Sequence, residues 1–511
     1  MNIPKKRTHV NMNLVLICVG ICASAIMFWT MANGPGISPD STIYFAVAKN
    51  ILAGNGFYYG EFSVAHYPPL YSILLAIVGL FNNGDLLQAA RLLHAALFGI
   101  NLCLIIFVVQ KCTNNSFWAS IFAALIFLFS APLILIYSMG WSESSFTIFS
   151  LGTLILLSYY SRKPSTKWLV VTSIVCGLAI ATRYIGVVLL PAIAISILFW
   201  GNRTVKDKFL DTFIAMVISC FPISVWMVSN LIMTQSATDR TLTKHLFGLE
   251  HIKSLIETMY YYIFPIQASD WIQGLLIFGI LTVFVFSTFK IFSQKDSYFE
   301  ANSIGFILLS LCLTFFIMYI AFLMISISFF DAHTPLDFRI LAPAYLTLII
   351  AFVTLTWRLF QSSEQKIIKK GFLILALVSI ILNSRPAISR IIDIHNNGLG
   401  YSSVSWRNSE IIHYLKSVPL NEKIYTNGVD VLRFWTGKEA MVLPQKIFGT
   451  TLRPNQNYKE QIKFLCEDVR EGKAIIIYFT NVNRPYLPEL GELINKCDIS
   501  PLMELSDGII F

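Results

Sequence analysis

Apolar runs of about twenty residues recur along most of this sequence, and they limit the fold more than any other feature. A helix of that length crosses the hydrocarbon core of a bilayer. Only 13% of the 511 residues are charged, whereas a soluble domain carries about a quarter. The sequence therefore predicts a polytopic α-helical membrane protein.

The basic residues set the expected orientation of these runs. Lys5, Lys6 and Arg7 precede the first run, which is longer than the core of a cleavable signal peptide and has Trp29 near its far end. We therefore expect an uncleaved anchor with a cytoplasmic N-terminus, followed by basic cytoplasmic loops at alternate connections. Eleven spans are predicted, with two of them in 168–200: about 13–32, 87–109, 117–136, 146–160, 168–200, 209–232, 271–289, 304–325, 340–357 and 371–382.

One short apolar run does not fit a span. The sequence PPLYSILLAIVGLF at 68–81 has an apolar core of about a dozen residues, which indicates a re-entrant or interfacial helix. We therefore expect residues 34–88 to form one large outer loop. The formal net charge of +9 does not indicate nucleic-acid binding, because the basic residues lie mostly in short loops between spans.

The chain changes character after about residue 385. Charged residues become more frequent, and helical and strand patterns alternate. We predict a transmembrane module at 1–384 and a small extracytoplasmic α/β domain at 385–511. Cys466 and Cys497 are the only cysteines of that domain. They could pair in an oxidising compartment, but two separate buried cysteines are the slightly favoured interpretation.

Asp40 is the first candidate for chemistry. It lies beyond the first span in SPDST at 38–42, before an amphipathic stretch, and acids are common at helix starts. Taken alone, capping is the favoured interpretation. The alternative is a general base at the membrane surface, because a carboxylate is ionised at neutral pH and can accept a proton from an acceptor hydroxyl or amine.

Other charged residues favour the second interpretation of Asp40. Glu143 lies at a span end, where an acid is costly and is a functional candidate, although a helix N-terminal carboxylate is an equal alternative. Arginine has a rigid fork that suits a phosphate, and snorkelling to the interface is the alternative for each arginine near this face. Those arginines are Arg91, Arg183 and Arg339.

One outer loop contains possible metal ligands. Asp331, His333 and Asp337 lie in FFDAHTPLDF at 329–338, but their order lacks the helical spacing of known hydrolase signatures. A solvated loop is the favoured interpretation, and contact with an acceptor is the second. We expect neither an obligatory metal nor another cofactor.

Several motifs resemble the GT-C membrane glycosyltransferases in their order and spacing. The opening of that family is similar to PDSTIYFAVAKNILAGNGF at 39–57, HYPPLYSILLAIVGLF at 66–81 and ARLLHAALFG at 90–99. Further similarity lies in SES around Glu143, ATRYIG around Arg183 and LDFRILAPAY around Arg339. The nearest branch includes the bacterial aminoarabinose lipid A transferase, and the protein O-mannosyltransferases are more distant. The resemblance covers most of the membrane part.

The resemblance implies an inverting enzyme that takes a sugar from a polyprenyl-phosphate carrier. The sugar would pass to a lipid, glycan or protein acceptor on the outer face of the membrane. Asp40 corresponds to the family's acid in the first outer loop and would be the general base. Glu143 corresponds to a second outer acid, which would position the acceptor. Arg339 lies in the stretch that relatives place near the lipid phosphate.

The sequence departs from the family pattern at two places. The mannosyltransferases have two adjacent acids, whereas Ser41 follows Asp40 here. The aminoarabinose transferase has a lysine before its paired prolines, and Tyr67 takes that place with His66 beside it. An interfacial histidine without a special role is an equal alternative for His66. The residues expected near the donor phosphate are Arg339, Arg183, Arg91, His66 and Tyr67.

Two other functions compete with the glycosyltransferase. A transporter or flippase of lipid-linked sugars more often shows repeated halves and helices broken near mid-membrane, and the sequence contains no internal repeat. A scaffold with a partner-binding α/β domain would not explain the acids and arginines of the membrane part. We expect a glycosyltransferase of the bacterial inner (plasma) membrane, with its C-terminal domain outside.

Overall fold

The computed structural model is a mostly helical protein with a small sheet near its C-terminus. It describes residues 12–60, 62–200, 203–240, 242, 244–293, 303–331, 334–361, 366–448 and 453–511. The helices of the membrane part are α1 (Met12–Thr30), α2 (Pro39–Leu52), α3 (Leu70–Leu80), α4 (Leu86–Cys112), α5 (Phe117–Leu128), α6 (Ala131–Ser138), α7 (Glu143–Arg162), α8 (Thr166–Thr182), α9 (Leu189–Phe199), α10 (Val205–Thr234), α11 (Leu249–Ile263), α12 (Asp270–Ser293), α13 (Ile304–Phe329), α14 (Phe338–Gln361) and α15 (Lys366–Asn397).

A helix lies at every predicted span, because a chain inside lipid has to satisfy its backbone hydrogen bonds within the segment. Among the described residues, five helices are long and apolar enough to cross a membrane: α4, α10, α13, α14 and α15. Shorter apolar helices include α1, α8 and α9, which follows a short 3₁₀ turn at Tyr184–Val188. The coarse class is therefore confirmed, and the count of eleven spans stays a prediction.

The third predicted span is broken. The sequence predicts one helix over 117–136, but α5 ends at Leu128 and α6 begins at Ala131 after a bend of 65°. Pro132 lies in the first turn of α6. Proline lacks a backbone N–H, so it suits a helix start and disrupts a helix interior. The bent pair counts as a sixth candidate crossing if both helices form one span.

The loop between α1 and α4, which was predicted to lie outside and is called the outer loop below, is a folded layer. It contains α2, a hairpin of β1 (Tyr58–Tyr59) and β2 (Phe62–Ser63), and α3, which is the short apolar run at 68–81. Apolar side chains of α2, α3 and α4 pack into one cluster, so the loop helices are held against the membrane helices. The cluster includes Phe45, Ala48, Leu75, Ala76, Ala89 and Ala90.

The C-terminal part is built around a five-stranded mixed sheet. Its strand order is β4-β3-β5-β7-β6, in which β3 pairs in parallel with β4 and β5, and β7 pairs antiparallel with β5 and β6. The elements are α16 (Val404–Arg407), α17 (Glu410–Ser417), β3 (Lys423–Thr426), α18 (Val429–Thr436), β4 (Met441–Val442), α19 (Tyr458–Arg470), β5 (Ala474–Phe479), α20 (Leu490–Cys497), β6 (Met503–Leu505) and β7 (Gly508–Ile510).

Both faces of this sheet are covered. Alternate residues of a strand point to opposite faces, so Ile477 and Phe479 join one apolar cluster while Ile476 joins another with Cys466 and Cys497. A disulfide links these two cysteines across α19 and α20. The interpretation as two separate cysteines, which the sequence slightly favoured, is therefore wrong. Their separation of 31 residues does not reveal that both helices pack on one face of the sheet.

Helix α15 continues through the predicted domain boundary at 384/385 and ends at Asn397. The rise in charge that suggested the boundary therefore begins within a helix. Beyond it, the chain meets the outer loop, where Tyr401 N donates to Ile37 O at 2.8 Å. Gly400 has φ +57°, and a Cβ there would lie 2.2 Å from Ile37 O, so this close approach requires glycine. Phe434 of α18 also packs on Phe45 of α2.

Candidate active site

Asp40 faces an arginine and a tyrosine at the start of α2. Ser38 is the cap of this helix, because its Oγ accepts from Ser41 N at 3.4 Å, and Pro39 occupies the first turn. Asp40 Oδ2 accepts from Arg339 Nη1 at 2.6 Å, and Oδ1 accepts from the Tyr67 hydroxyl at 2.7 Å. Its carboxylate is therefore directed at other elements, and the capping interpretation does not describe its side chain.

Glu143 is the first residue of α7 and is only 1% exposed. Its Oε1 accepts from Arg339 Nε at 2.5 Å and also pairs with Arg183 Nη1. Arg183 follows the last turn of α8, where the backbone becomes extended, and Arg339 is the second residue of α14. Within the described part of the chain, Glu143 Oε2 is buried without a hydrogen-bond partner.

These four side chains form a charged quartet of two carboxylates and two guanidiniums. Its members are Asp40, Glu143, Arg183 and Arg339. The formal charges cancel, which makes burial of the ions tolerable. Burial alone would raise the pKa of Asp40, but the Arg339 guanidinium, the Tyr67 hydroxyl and the more distant Arg183 outweigh it and place this pKa below its ordinary 3.8. Asp40 is therefore an anion at neutral pH.

Tyr67 and His66 border the quartet from the outer loop. The two rings contact each other edge to face, with centroids 4.8 Å apart. Burial, with the positive charge of Arg240 as a second cause, places the pKa of His66 below its ordinary 6.5. His66 is therefore neutral at pH 7, and it can offer one N–H to an anion.

Arg91 does not contact the quartet. Its guanidinium lies 3.8 Å from the centre of the Phe28 ring on α1, and its Nε donates to Phe28 O. Arg240, which was not a candidate in the sequence, follows α10 and lies near Tyr184 and His66. Among the described residues, no carboxylate lies within ion-pair distance of Arg240, and its buried Nε has no hydrogen-bond acceptor. In the sequence Arg240 is one basic loop residue among many, so nothing local distinguished it.

An apolar cavity of about 350 Å³ lies among α5 and α11–α15. Tyr345 lines this cavity and stacks on Tyr262, with ring centroids 3.8 Å apart. The Tyr262 hydroxyl donates to Phe338 O, and Phe338 is the neighbour of Arg339. The Tyr262 ring also packs edge to face on the Phe338 ring, with centroids 5.2 Å apart, so packed rings lead from the cavity to the residue before Arg339. Other lining residues include Ile126, Met259, Phe284, Phe316 and Phe352.

The predicted acidic outer loop is only partly described. Asp337 Oδ1 accepts from Ile340 N at 3.0 Å, so this residue caps α14. Asp331 follows α13, and His333 lies outside the described residues. Among the described residues, no group of three or more His, Cys, Asp or Glu side chains is placed to hold a metal ion.

The chain is similar to known proteins in part of its sequence and in its fold. A family model described as dolichyl-phosphate-mannose-protein mannosyltransferase matches residues 66–226. A sequence search of curated proteins finds no match. Two solved structures of ArnT from Cupriavidus metallidurans share the fold at 12% identity, each covering 98% of this chain and 97% of ArnT. The TM-score is 0.52 for ArnT bound to undecaprenyl phosphate and 0.53 for ArnT in the apo state.

The family match covers α3–α9 and the first part of α10, and His66, Tyr67, Glu143 and Arg183 lie within it. The fold match extends over nearly the whole chain. Together they make the chain an enzyme, a membrane glycosyltransferase with the GT-C fold. The resemblance noted in the sequence is therefore confirmed at the level of fold and enzyme class.

Proposed function

We propose that the chain moves a sugar from a polyprenyl-phosphate carrier to an acceptor on the outer face of the membrane, with inversion and with Asp40 as general base. One observation carries this proposal: the Asp40 side chain is 30% exposed, whereas that of Glu143 is 2% exposed. Asp40 is therefore the acid that an acceptor can reach. Glu143 is placed to hold Arg183 and Arg339 rather than to meet solvent.

The proposed step is a single displacement. The acceptor oxygen or nitrogen bonds to the anomeric carbon while its proton passes to Asp40. The sugar–phosphate bond breaks, and the polyprenyl phosphate leaves with the bonding electrons. Arg339 donates to Asp40, which lowers the basicity of this carboxylate. The departing phosphate competes for the same guanidinium, so Asp40 becomes more basic as the proton arrives.

The donor phosphate needs positive charge beyond the quartet, because the two arginines there are already neutralised. Arg240 supplies it, since among the described residues it has no carboxylate partner and lies near His66. His66 can donate one further hydrogen bond, and Tyr67 can donate to the phosphate only when its single hydroxyl proton turns away from Asp40. Arg183 and Arg339 remain proposed secondary contacts, whereas Arg91 is left out because it covers Phe28.

The cavity that begins at Tyr345 suits the isoprenoid units of the carrier's apolar tail that lie nearest the phosphate. That cavity is lined almost entirely by apolar side chains and is enclosed by membrane helices, as burial of isoprenoid units requires. The solved ArnT that shares this fold was bound to undecaprenyl phosphate, and we extend this carrier class to the present chain.

We also propose the orientation predicted from the loops: eleven crossings, a cytoplasmic N-terminus and an extracytoplasmic α/β domain from the residues after α15 to 511, in a bacterial inner membrane. The disulfide between Cys466 and Cys497 supports this placement, because disulfides persist in oxidising compartments. The other seven cysteines are unpaired and lie in membrane-part helices.

The test uses purified protein and a panel of polyprenyl-phosphate-linked sugars, with sugar release or transfer as the readout. Asp40→Asn should lower turnover by about 10²–10⁴-fold, the contribution of general base catalysis, and should still bind undecaprenyl phosphate. Asp85→Asn is the matched control, because Asp85 is exposed in the same outer loop and caps α4. It should keep wild-type turnover.

The other outcomes separate the alternatives. Equal turnover in wild type and Asp40→Asn would refute the assignment of the base. Carrier binding and transbilayer movement of the lipid-linked sugar, without transfer to any acceptor tested, would favour the flippase.

In the same binding assay, Arg240→Gln should weaken the affinity for undecaprenyl phosphate by about tenfold, as loss of one charge-assisted contact predicts. Unchanged affinity would remove Arg240 from the phosphate site.

A further inference from the structure

Trp141 contacts Arg339 of the charged quartet and Ser38 at the start of the helix that carries Asp40. The proposed reaction gives this tryptophan no role. It lies in the short link between α6 and α7, two residues before Glu143. Its indole N–H donates to Ser38 Oγ at 2.8 Å, and the Arg339 guanidinium carbon lies 4.4 Å from the centre of its ring. One side chain thus connects the start of the Asp40 helix with the arginine that Asp40 and Glu143 share.

The first contact fixes the start of α2. Ser38 is the cap of that helix, and Asp40 follows it by two residues. The backbones are joined here as well, because Gly140 N donates to Gly36 O at 2.8 Å and Gly36 N donates to Ser138 O at 2.8 Å. The indole bond therefore adds a side-chain connection at the turn from which the Asp40 carboxylate projects.

The second contact fixes the plane of the arginine. Arg339 uses two nitrogens of its edge for Glu143 and Asp40, and the indole covers one face of the guanidinium. An aromatic face attracts a cation, and tryptophan does so more strongly than phenylalanine. It also excludes water from that face. Rotation of the guanidinium, which would release Asp40, is therefore restricted.

We propose that Trp141 is a positioning residue, which holds Asp40 and Arg339 in the relative geometry that proton transfer requires. This inference rests on the proposed function for its effect on turnover. It assigns Trp141 two separable actions: hydrogen bonding to Ser38 and stacking on Arg339. Because Trp141 acts through these residues, its loss should change kcat more than the KM for the donor.

The experiment compares Trp141→Leu, Trp141→Phe, Ser38→Ala and the double variant Trp141→Phe/Ser38→Ala on the lipid-linked sugar that wild type turns over. Trp141→Leu removes both contacts and should lower kcat by at least about tenfold, because small misplacements of reacting groups are costly. The KM for the donor should change by less than about threefold. Trp141→Phe keeps the ring face and should recover part of kcat. Trp118→Leu, at a tryptophan that is 69% exposed, is the control.

A hydrogen bond between two residues can be lost only once. The combined loss of kcat in the double variant should therefore be smaller than the product of the two single losses, whereas independent contributions would multiply. Wild-type kcat in Trp141→Leu would overturn the proposal, as would equal losses in Trp141→Leu and Trp141→Phe. A rise in donor KM that accounts for the whole loss would also contradict it.

Failure of the proposed function can be distinguished from failure of the inference about Trp141. If wild type turns over no lipid-linked sugar, thermal unfolding of the detergent-solubilised protein decides the inference about Trp141. The Tm shifts of Trp141→Leu and Asp40→Asn should then fail to add, because both variants weaken the hold on Arg339. Additive shifts would show that Trp141 and Asp40 are not coupled and would overturn the inference.

Discussion

The membrane part and the C-terminal part each contain a trio in which a tyrosine hydroxyl and an arginine donate to one aspartate. The trios are Tyr67–Asp40–Arg339, the outer-loop trio, and Tyr401–Asp430–Arg484, the C-terminal trio. In the C-terminal trio both charged side chains are 15% exposed, and all three residues belong to the part around the sheet. Its arginine also donates to the tyrosine oxygen at 3.4 Å.

The outer-loop trio differs in two ways. Its arginine comes from a position 299 residues away and is shared with a second carboxylate, Glu143, which also holds Arg183. Its aspartate is twice as exposed as that of the C-terminal trio, at 30% against 15%. An aspartate–arginine pair is therefore not by itself a reaction site. An accessible carboxylate beside a further buried charge pair makes the outer-loop trio the candidate.

The largest expected effect tests the buried charge pair of the outer-loop trio. Glu143→Gln leaves Arg183 and Arg339 with one carboxylate between them, so a buried positive charge is uncompensated. We expect the free energy of unfolding to fall by about 3–5 kcal/mol, as for a broken buried ion pair. Thermal or denaturant unfolding in detergent measures it, with Glu504→Gln on the exposed strand β6 as the control. Equal stability of the two variants would show that Glu143 does not hold the arginines.

The next effect tests whether the C-terminal trio is only structural. Asp430→Asn removes the charge that Arg484 faces, and it should lower the free energy of unfolding by about 1–3 kcal/mol. Turnover per folded molecule should stay at the wild-type level, in contrast to Asp40→Asn. Activity normalised to the folded fraction measures this. Loss of turnover in fully folded Asp430→Asn would show that both trios serve the reaction.

The sequence predicted much of the membrane part because its signals are local. Span-length apolar runs and basic loops identify helices without reference to the rest of the chain. Acids and arginines at span ends also identified Asp40, Glu143, Arg183 and Arg339 as candidates, since ions near a bilayer need partners. The structure brings these four together, and their roles in the reaction remain proposals.

Features that depend on packing were not predictable in this way. Arg91 and Arg240 have the same chemistry, and only the fold shows that Arg91 lies on Phe28 while Arg240 lies near His66. Trp141 was not a candidate in the sequence, because only the fold brings Ser38 and Arg339 together at its ring. The disulfide was the less favoured interpretation for the same reason, because a separation of 31 residues does not specify which helices share a face.

Acid titration is expected to give the smallest effect, and it tests how strongly the fold stabilises the ionised Asp40 carboxylate. The pKa of Asp40 lies below its ordinary value in the folded protein, so the unfolded chain, with a carboxyl pKa of about 3.9, binds more protons between the two values. The stability that Asp40 contributes is therefore fully present above about pH 4 and is lost as the pH falls through the folded pKa.

The variant Asp40→Asn has no carboxylate to protonate at this position. Unfolding of both proteins from pH 6 to pH 3 should show their stability difference shrinking by at most about 1.4 kcal/mol per pH unit. A constant difference over that range would mean that Arg339 and Tyr67 do not stabilise the Asp40 carboxylate.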